Sequence, residues 1–197
     1  MDSRARLIQA MSDLMWERGY AATSPREVRE RSGVGQGSMY HHFAGKHELA
    51  LAALEHNCAD LLPATEALLT STGSPLARID AYLSREHQPL KGCKVGRMTQ
   101  DPLVASDPTL LAPVRDAFAT VHERLAAVIA EAIALGELGD ELDPDELASM
   151  ITATIQGGYV LAIAAQDSRR FDEARAGARH LLRAVALCAV HDRKEEK

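Results

Sequence analysis

Two short helical patterns joined by a glycine-rich turn, within residues 23–49, constrain the fold of this chain more than any other feature. Ser24-Pro25-Arg26-Glu27 has the pattern of a capping box with proline at the first helical position, and so predicts where a helix begins. That helix is expected to end at Gly33, and a further short helix is expected over residues 36–43. An amphipathic pattern over residues 3–18 precedes them, so the chain is predicted to begin with three short helices.

The remainder of the chain also has helical periodicity, and the composition agrees with it. Aromatic residues make up only 4% of the chain, whereas alanine and leucine recur throughout, which favours helices packed on helices over a β-sheet. We therefore predict an all-α fold of about nine helices. Residues 88–108 are the least regular part, because prolines and glycines interrupt them. The other helices are expected from residue 46, with Pro63 kinking or ending that helix, and over residues 76–86, 110–135, 143–166 and 171–190.

The predicted organisation is a domain of three short helices over residues 1–46, a larger helical domain over residues 47–190, and a charged tail over residues 191–197. Charge is distributed unequally along the chain. Residues 1–56 contain seven Lys and Arg and seven Asp and Glu, so the net charge of −6 lies entirely in the remainder. This asymmetry predicts that the two domains face different partners.

Neither a membrane span nor a secretory signal is predicted. A transmembrane helix needs about 18 or more uninterrupted apolar residues, and Glu131 and Arg183 interrupt the two strongest runs. The N-terminus has an amphipathic pattern instead of the continuous apolar segment of a signal peptide. We therefore expect a cytoplasmic protein without a membrane partner, in which the widely spaced Cys58, Cys93 and Cys188 are reduced thiols.

Three kinds of site could use the polar residues of segment 32–49. A metal site is not expected, because His41, His42 and His47 lack the spacing that places two ligands on one helix face. A phosphate-binding loop is not expected either, because Gly45-Lys46 lacks the required flanking residues and no strand precedes it. The remaining hypothesis is a helix-turn-helix whose second helix enters the major groove of DNA. No metal and no cofactor is predicted.

The segment TSPREVRERSGVGQGSMYHHFAGKHEL, residues 23–49, resembles the DNA-binding domain of the TetR family of transcriptional regulators. The resemblance implies an N-terminal helix-turn-helix domain that binds double-stranded operator DNA, followed by a helical domain for effector binding and dimerisation. The positions that match the family pattern are Thr23, Val28, Gly33, Val34, Gly37, Met39, Tyr40, His42, Phe43, Lys46 and Leu49.

The resemblance assigns DNA contacts to the third helix and to residues around it. Gln36 and His41 are the candidates for base edges, and Gly37 allows the backbone to approach phosphate closely. For Tyr40 and His42, packing against the fourth helix is the alternative. The candidates for contacts around the phosphate backbone are Thr23, Ser24, Arg26, Ser38, Tyr40, His42 and Lys46.

Arg29 and Arg31 stand where many family members have small alanines. We expect both side chains to extend outward, where they would add phosphate contacts. Because non-specific affinity depends on the number of phosphates neutralised, the balanced charge of the domain predicts modest, salt-sensitive DNA binding.

The last two helices are expected to pair with those of a second chain, because one helix-turn-helix is too small to specify a long site. In the family such helices form a four-helix bundle between two copies. The alternative is that their apolar rows only fill the core of one chain. The rows consist of Met150, Ile151, Ile155, Val160, Leu161 and Ile163, and of Leu181, Leu182, Val185 and Leu187.

The segments KGCKVGRMTQD and GELGDELDPDELASMITATIQGGYVLA resemble the C-terminal domain of the TetR subgroup that contains the LmrA and YxaF repressors. In the family this domain usually holds a small molecule whose binding separates the DNA-binding domains. We therefore expect a repressor of a palindromic operator that is released by an apolar or aromatic effector, and not an enzyme. Effector contacts are predicted, with core packing as the alternative for each, at Met98, Phe118, His122, Met150, Gln156 and Tyr159.

Alternative functions would use Cys93. Basic residues flank it in the sequence and could stabilise a thiolate for redox sensing. A small helical enzyme would combine Cys93 with His87 or His122, but no catalytic motif supports it. A further alternative is an adaptor that keeps the fold and has lost specific DNA binding.

Overall fold

The structure, a computed structural model, describes residues 2–195, and the side chains as far as residue 186. Within this range the chain contains nine α-helices and two 3₁₀ helices, Pro89–Lys91 and Gly96–Gln100, and no strand. The predicted all-α fold is confirmed. The α-helices are α1 (Ser3–Arg18), α2 (Pro25–Ser32), α3 (Gln36–His42), α4 (Lys46–Leu69), α5 (Pro75–Ser84), α6 (Pro102–Ala105), α7 (Pro108–Ala134), α8 (Pro144–Ala165) and α9 (Arg169–Glu195).

Local capping groups determine where the short N-terminal helices begin and end. The Ser24 hydroxyl accepts from the Glu27 amide and the Glu27 carboxylate accepts from the Ser24 amide, as the predicted capping box requires. α2 ends at Gly33, whose φ of +64° is a left-handed conformation that glycine adopts without strain. Phe43 ends α3, and its amide donates to the Met39 carbonyl.

Two helices extend further than the sequence predicted. α4 continues through Pro63, although a proline removes one main-chain hydrogen bond; buried Thr65 and Leu69 anchor the part that follows. α9 continues to Glu195, so residues 191–195 of the predicted tail are helical. The helix continues beyond the end of the apolar pattern because Arg, Lys and Glu are themselves good helix formers. Residues 196–197 lie outside the described residues.

The chain divides into two compact units. The first consists of the residues up to Leu61 and of Lys91–Phe118, and the second consists of Leu62–Leu90 and of the residues from Ala119 on. The core of the first unit contains apolar residues of α1, α2, α3 and the first part of α4, among them Leu7, Met11, Val28, Met39 and Leu49. The functional boundary after residue 46 stays a prediction.

α8 corrects the expectation that the chain has no long apolar segment. No charged residue occurs from Leu147 to Ala165, and by length and composition alone α8 could cross a membrane. In the second unit α8 packs along α9. Of the most apolar 18-residue stretch of α8, 33% is buried. Ile151 and Ile155, on the inner face of α8, are almost fully buried. Packing against other helices therefore accounts for part of its apolar character.

α8 and α9 approach closely at Gly158. A Cβ built on Gly158 would lie 2.9 Å from Cδ2 of Phe171 and 3.6 Å from Cβ of Ala174. Phe171 is fully buried, so its ring has little room to move away.

We expect Gly158→Ala to lower the free energy of unfolding by about 1–3 kcal/mol, the usual effect of overpacking a core. Phe171→Ala removes both ring carbons, Cδ2 and Cε2, that the new methyl group would meet. The double variant should therefore be more stable than the sum of the two single changes predicts, as measured by urea denaturation. Strict additivity would contradict the proposed contact between the two positions.

Candidate nucleic-acid interface

α3 has a polar outer face and an apolar inner face. Met39 and Phe43 are 1% and 2% exposed and belong to the core of the first unit. Tyr40 is 52% exposed. No side chain caps the start of the helix at Gly35, so its first amides remain available to an external acceptor. The exposed candidates on this face are Gln36, Gly37, Tyr40 and His41, with Ser38 half-buried beside them.

Gln36 lies beside an arginine of α2. The Gln36 Oε1 atom accepts from Nη1 of Arg29 over 3.5 Å. Arg29 was expected only at phosphate, but the structure brings its guanidinium to the residue that is the main candidate for base contacts. Because arginine is the commonest reader of guanine, Arg29 becomes a second candidate for base contacts.

The other arginines of α2 are paired with carboxylates. Arg26 is well exposed and forms an ion pair with Glu30 over 2.7 Å. Arg31 reaches back to α1, where its Nη1 lies 2.5 Å from Oε1 of Glu17. This hydrogen bond lowers the pKa of Glu17. The arginine at position 31 is therefore exposed, as expected, but its charge is partly neutralised by Glu17.

Three further candidates use their polar atoms in the turn between α1 and α2. Thr23 is 2% exposed, and its hydroxyl donates to the Gly19 carbonyl over 2.8 Å. The hydroxyl of Ser24 belongs to the capping box. Lys46 Nζ donates to the Tyr20 carbonyl over 2.7 Å, and burial lowers the pKa of this lysine. The turn buries the Thr23 hydroxyl, and the contact of Thr23 with phosphate stays a prediction.

The N-terminus of α1 lies beside the end of α3. Nε2 of His42 lies 2.6 Å from the Ser3 hydroxyl, so His42 contacts α1 at this point. The guanidinium of Arg4 lies 5.3 Å from the centroid of the Phe43 ring, which adds an exposed cation next to α3. No local pattern in the sequence points to Ser3 and Arg4, since these contacts join residues about 40 positions apart.

Two family models match this chain. The model for bacterial regulatory proteins of the tetR family matches residues 7–53, and the model for the tetracyclin repressor-like C-terminal domain matches residues 76–178. The chain belongs to the TetR family. It is therefore a DNA-binding transcriptional regulator, and proteins of this family are not enzymes.

Individual relatives agree with the family assignment over most of the chain. The transcriptional regulator AcuR of Cereibacter sphaeroides is 30% identical over 79% of this chain and 74% of its own length. The transcriptional regulator LmrA of Bacillus subtilis is 26% identical over 85% of this chain and 89% of its own length. The crystal structure of a regulatory protein TetR from Rhodobacter sphaeroides superposes with a TM-score of 0.79 at 25% identity, covering 90% of this chain and 97% of that chain.

The six candidates for effector contacts are divided between the two units. Met98 and Phe118 belong to the first unit, where Met98 is buried in the core and Phe118 packs against it. In the second unit His122 Nε2 lies 3.1 Å from Oδ1 of Asp145, and Gln156 is half-buried. Met150 is also half-buried there, and its sulfur accepts from the hydroxyl of Thr154. The sixth candidate is Tyr159.

The second unit contains, among its cavities, one of about 320 Å³ and one of about 230 Å³. None of the six effector candidates lines either of them. The larger cavity is lined by Leu76, Ala77, Asp80, Leu83, Arg179, Leu182 and Arg183, and the smaller by Leu62, Pro63, Thr65, Glu66, Thr120, Val121 and Arg124.

Tyr159 belongs to an aromatic cluster with His87 and Phe171. The Tyr159 hydroxyl lies 2.5 Å from Nδ1 of His87, and the rings of His87 and Phe171 are 4.8 Å apart. Arg85 Nε donates to Nε2 of His87 over 3.3 Å, so the proton of the neutral ring is on Nδ1 and is donated to Tyr159. Burial lowers the pKa of His87 to about 4, and the charges of Arg85 and Arg175 add to this effect.

The basic residues that flank Cys93 in the sequence have their described contacts with α1, and the redox role of Cys93 stays a prediction. The Cys93 sulfur accepts from the Gly96 amide over 3.1 Å. The ammonium groups of Lys91 and Lys94 lie 5.0 and 5.5 Å from the ring centroid of Trp16, and Arg97 donates to the Trp16 carbonyl. The described contacts of these cations are therefore with α1. The other described cysteine, Cys58, is buried, which raises the pKa of its thiol to about 11; Cys188 lies outside the described side chains.

We expect the stability of the protein to fall as the pH falls from about 6.5 to about 4 in a manner that depends on His87. In this range the unfolded chain binds a proton at this histidine that the folded chain does not, so acid favours unfolding. His87→Gln keeps a polar side chain that does not titrate. Its free energy of unfolding should fall less than that of the wild type, by on the order of 1–2 kcal/mol after allowance for solvent screening.

Urea denaturation at about pH 7 and about pH 4.5 measures this difference. His41→Gln, at an exposed histidine of α3, is the control and should follow the wild type. Parallel pH dependence of the wild type and His87→Gln would show that His87 does not carry the effect.

Proposed function

We propose that this regulator is a cytoplasmic repressor that binds a palindromic operator as a homodimer and is released by a small apolar or aromatic effector. The observation that carries the DNA-binding part is the exposed face of α3, where Gln36, Tyr40 and His41 point away from a fully buried apolar face. A helix with this division fits the major groove, because one face holds it rigidly while the other meets the bases.

Contacts on this face divide into two roles. Gln36 and Arg29, which lie side by side, are assigned to base edges, since both side chains can form paired hydrogen bonds to a base. Tyr40, His41 and Arg26 are exposed and can donate to the phosphate backbone or, for His41, to a base edge. Gly37 has open space around its Cβ position, so close approach of DNA is not blocked by the protein itself.

The two roles predict different effects of substitution. Tyr40→Phe removes one hydroxyl donor and should weaken binding of all sequences about equally, by roughly fivefold to tenfold. Gln36→Ala should relax the preference at one base pair of each half-site, a loss of about 1–3 kcal/mol of discrimination. Selection of duplexes from a random pool, followed by footprinting and titration with the selected duplex, measures both.

The salt dependence of binding supplies a second test of the same interface. Affinity for the selected duplex should fall steeply as salt is raised, because phosphate contacts release counterions. Glu141→Gln, in the turn that precedes α8, is a control that should leave affinity unchanged. A footprint that lacks two-fold symmetry, or affinity that does not respond to salt, would contradict the proposal.

The homodimer is supported by an apolar face that α8 and α9 leave exposed. Val160 and Leu161 are each 54% exposed, and Leu181 is 65% exposed. Gly157 and Gly177 have no atoms near their Cβ positions, so a second chain could approach the backbones closely. Some residues of the predicted apolar rows belong to the core of the unit instead: Ile151, Ile155 and Leu182 are buried there. Leu187 lies outside the described side chains.

We expect the wild type to sediment as a dimer at micromolar concentration and the variant Leu161→Glu/Leu181→Glu to sediment as a monomer. Each new carboxylate would be buried without a partner in the dimer, which is strongly unfavourable. Leu135→Glu is the matched control, because Leu135 is 64% exposed but lies outside α8 and α9. A monomeric wild type, or a double variant that stays dimeric, would contradict this interface.

Effector binding is supported by the cavities described in the second unit. The larger cavity is walled mainly by leucine and alanine, with the ion pair of Asp80 and Arg179 at its side. A small molecule that is mainly apolar fits such a lining. A thermal-shift screen of apolar and aromatic compounds, followed by displacement of the selected duplex, tests this part of the proposal. A compound that stabilises the protein and leaves DNA affinity unchanged is not the effector.

A further inference from the structure

Asp101 joins the start of α6 to the turn between α1 and α2 through one buried carboxylate. Its Oδ1 accepts from the amides of Leu103, over 3.0 Å, and Val104, over 3.3 Å. Its Oδ2 accepts from the Ala21 amide over 2.9 Å. The residue is 8% exposed, so water competes little for these hydrogen bonds.

The turn between α1 and α2 is shaped around this carboxylate. Gly19 has a φ of +90°, and a Cβ at this position would lie 2.8 Å from Oδ2 of Asp101. On the other side, Lys46 of α4 donates to the Tyr20 carbonyl over 2.7 Å. The positive charge of Lys46 is close enough to interact with Asp101. The turn is therefore held between the cap of α6 and the start of α4.

Further contacts hold the segment 91–107 against the first helices. Trp16 Nε1 donates to the Gly92 carbonyl over 3.0 Å, and Arg97 donates to the Trp16 carbonyl over 2.7 Å. His47 Nε2 lies 2.8 Å from Oδ2 of Asp107. These contacts keep the segment in place. Asp107 also caps a helix, α7, through the amides of Thr109 and Leu110. Asp101 differs from it because its carboxylate is buried and binds the turn between α1 and α2.

We propose that Asp101 is a positioning residue that couples the conformation of α6 to the turn between α1 and α2, and through α1 to the presentation of α3. Unwinding the start of α6 withdraws two donors from the carboxylate and frees it to leave Ala21. α1 shares one buried core with α2 and α3, so a change at its end alters their support. By thermodynamic reciprocity, DNA binding must then affect the start of α6. This second half rests on the proposed DNA-binding function.

Asp101→Asn separates the two roles of the carboxylate. An asparagine has one accepting oxygen and one NH₂ group, which can only donate. Directing the oxygen at Leu103 and Val104 satisfies two amides, whereas directing it at Ala21 satisfies one. The variant is therefore expected to keep the cap of α6, since asparagine is a good N-cap residue, and to lose the hydrogen bond to Ala21.

Amide hydrogen exchange of the full-length protein, resolved by residue with NMR, tests this separation. In Asp101→Asn the exchange of the Ala21 amide should be faster by about tenfold, the usual effect of one net hydrogen bond. Leu103 and Val104 should stay close to their wild-type rates. The matched control is Asp143→Asn, because Asp143 caps α8 through the amides of Asp145 and Glu146 and should leave Ala21 unchanged.

The DNA half is tested with the duplex that the wild type selects from a random pool. Binding of this duplex should slow exchange of the Leu103 and Val104 amides in the wild type and in Asp143→Asn, but not in Asp101→Asn. Asp101→Asn should also bind the duplex about tenfold more weakly than the wild type. If no duplex is selected, the proposed function fails, and exchange without DNA still decides the link between α6 and the turn. Unchanged exchange of Ala21 in Asp101→Asn, or equal effects on all three amides, overturns the coupling. If the duplex does not slow exchange of the Leu103 and Val104 amides in the wild type, the proposed coupling of α6 to DNA binding is overturned.

Discussion

The packing of α1 against α2 and α3 is the constraint on which the proposed DNA-binding surface depends. α2 and α3 contain 8 and 7 residues, fewer than the roughly 12–15 that an isolated helix needs in water. Their helical state must therefore come from burial. Val28 of α2 and Met39 of α3 are at most 1% exposed and share a core with Leu7 and Met11 of α1. An apolar contact thus fixes the orientation of a polar face, which a helix of this length could not maintain alone.

The charges of the same domain favour close contacts over long-range attraction in the proposed recognition of DNA. Three of its arginines pair with acids: Arg18 with Glu27, Arg26 with Glu30, and Arg31 with Glu17. Exposed pairs of this kind add little stability, but they reduce the positive field that would attract DNA from a distance. The donors on α3 act over hydrogen-bond distances and are not weakened in this way. Arg29 differs from the paired arginines, because its described contact is with the neutral side chain of Gln36.

Sequence predicts those parts of this structure that depend on local interactions. The capping box of α2, its end at a glycine and the two faces of α3 can all be predicted, because each depends on residues within nine positions of one another. At Thr23 and Lys46 the contacts within the chain do not follow from the residue type. Their residue types suit phosphate contacts, yet Thr23 bonds to Gly19, and Lys46 bonds to the Tyr20 carbonyl, 26 positions away. The basic residues near Cys93 in the sequence contact Trp16, about 80 positions away, and only the folded chain shows these contacts. Residues of the two cavities are likewise brought together from distant helices.

The apolar helix α8 combines two demands that its sequence alone does not distinguish. One face is packed: Ile151 and Ile155 are buried, and Gly158 allows the ring of Phe171 on α9 to approach. The opposite face, with Val160 and Leu161, has no cover within the described chain. A helix of a soluble regulator has little reason to expose such large residues together unless another surface covers them. The lack of charge from Leu147 to Ala165 is then explained by burial on both faces, one within the chain and the other in the proposed dimer.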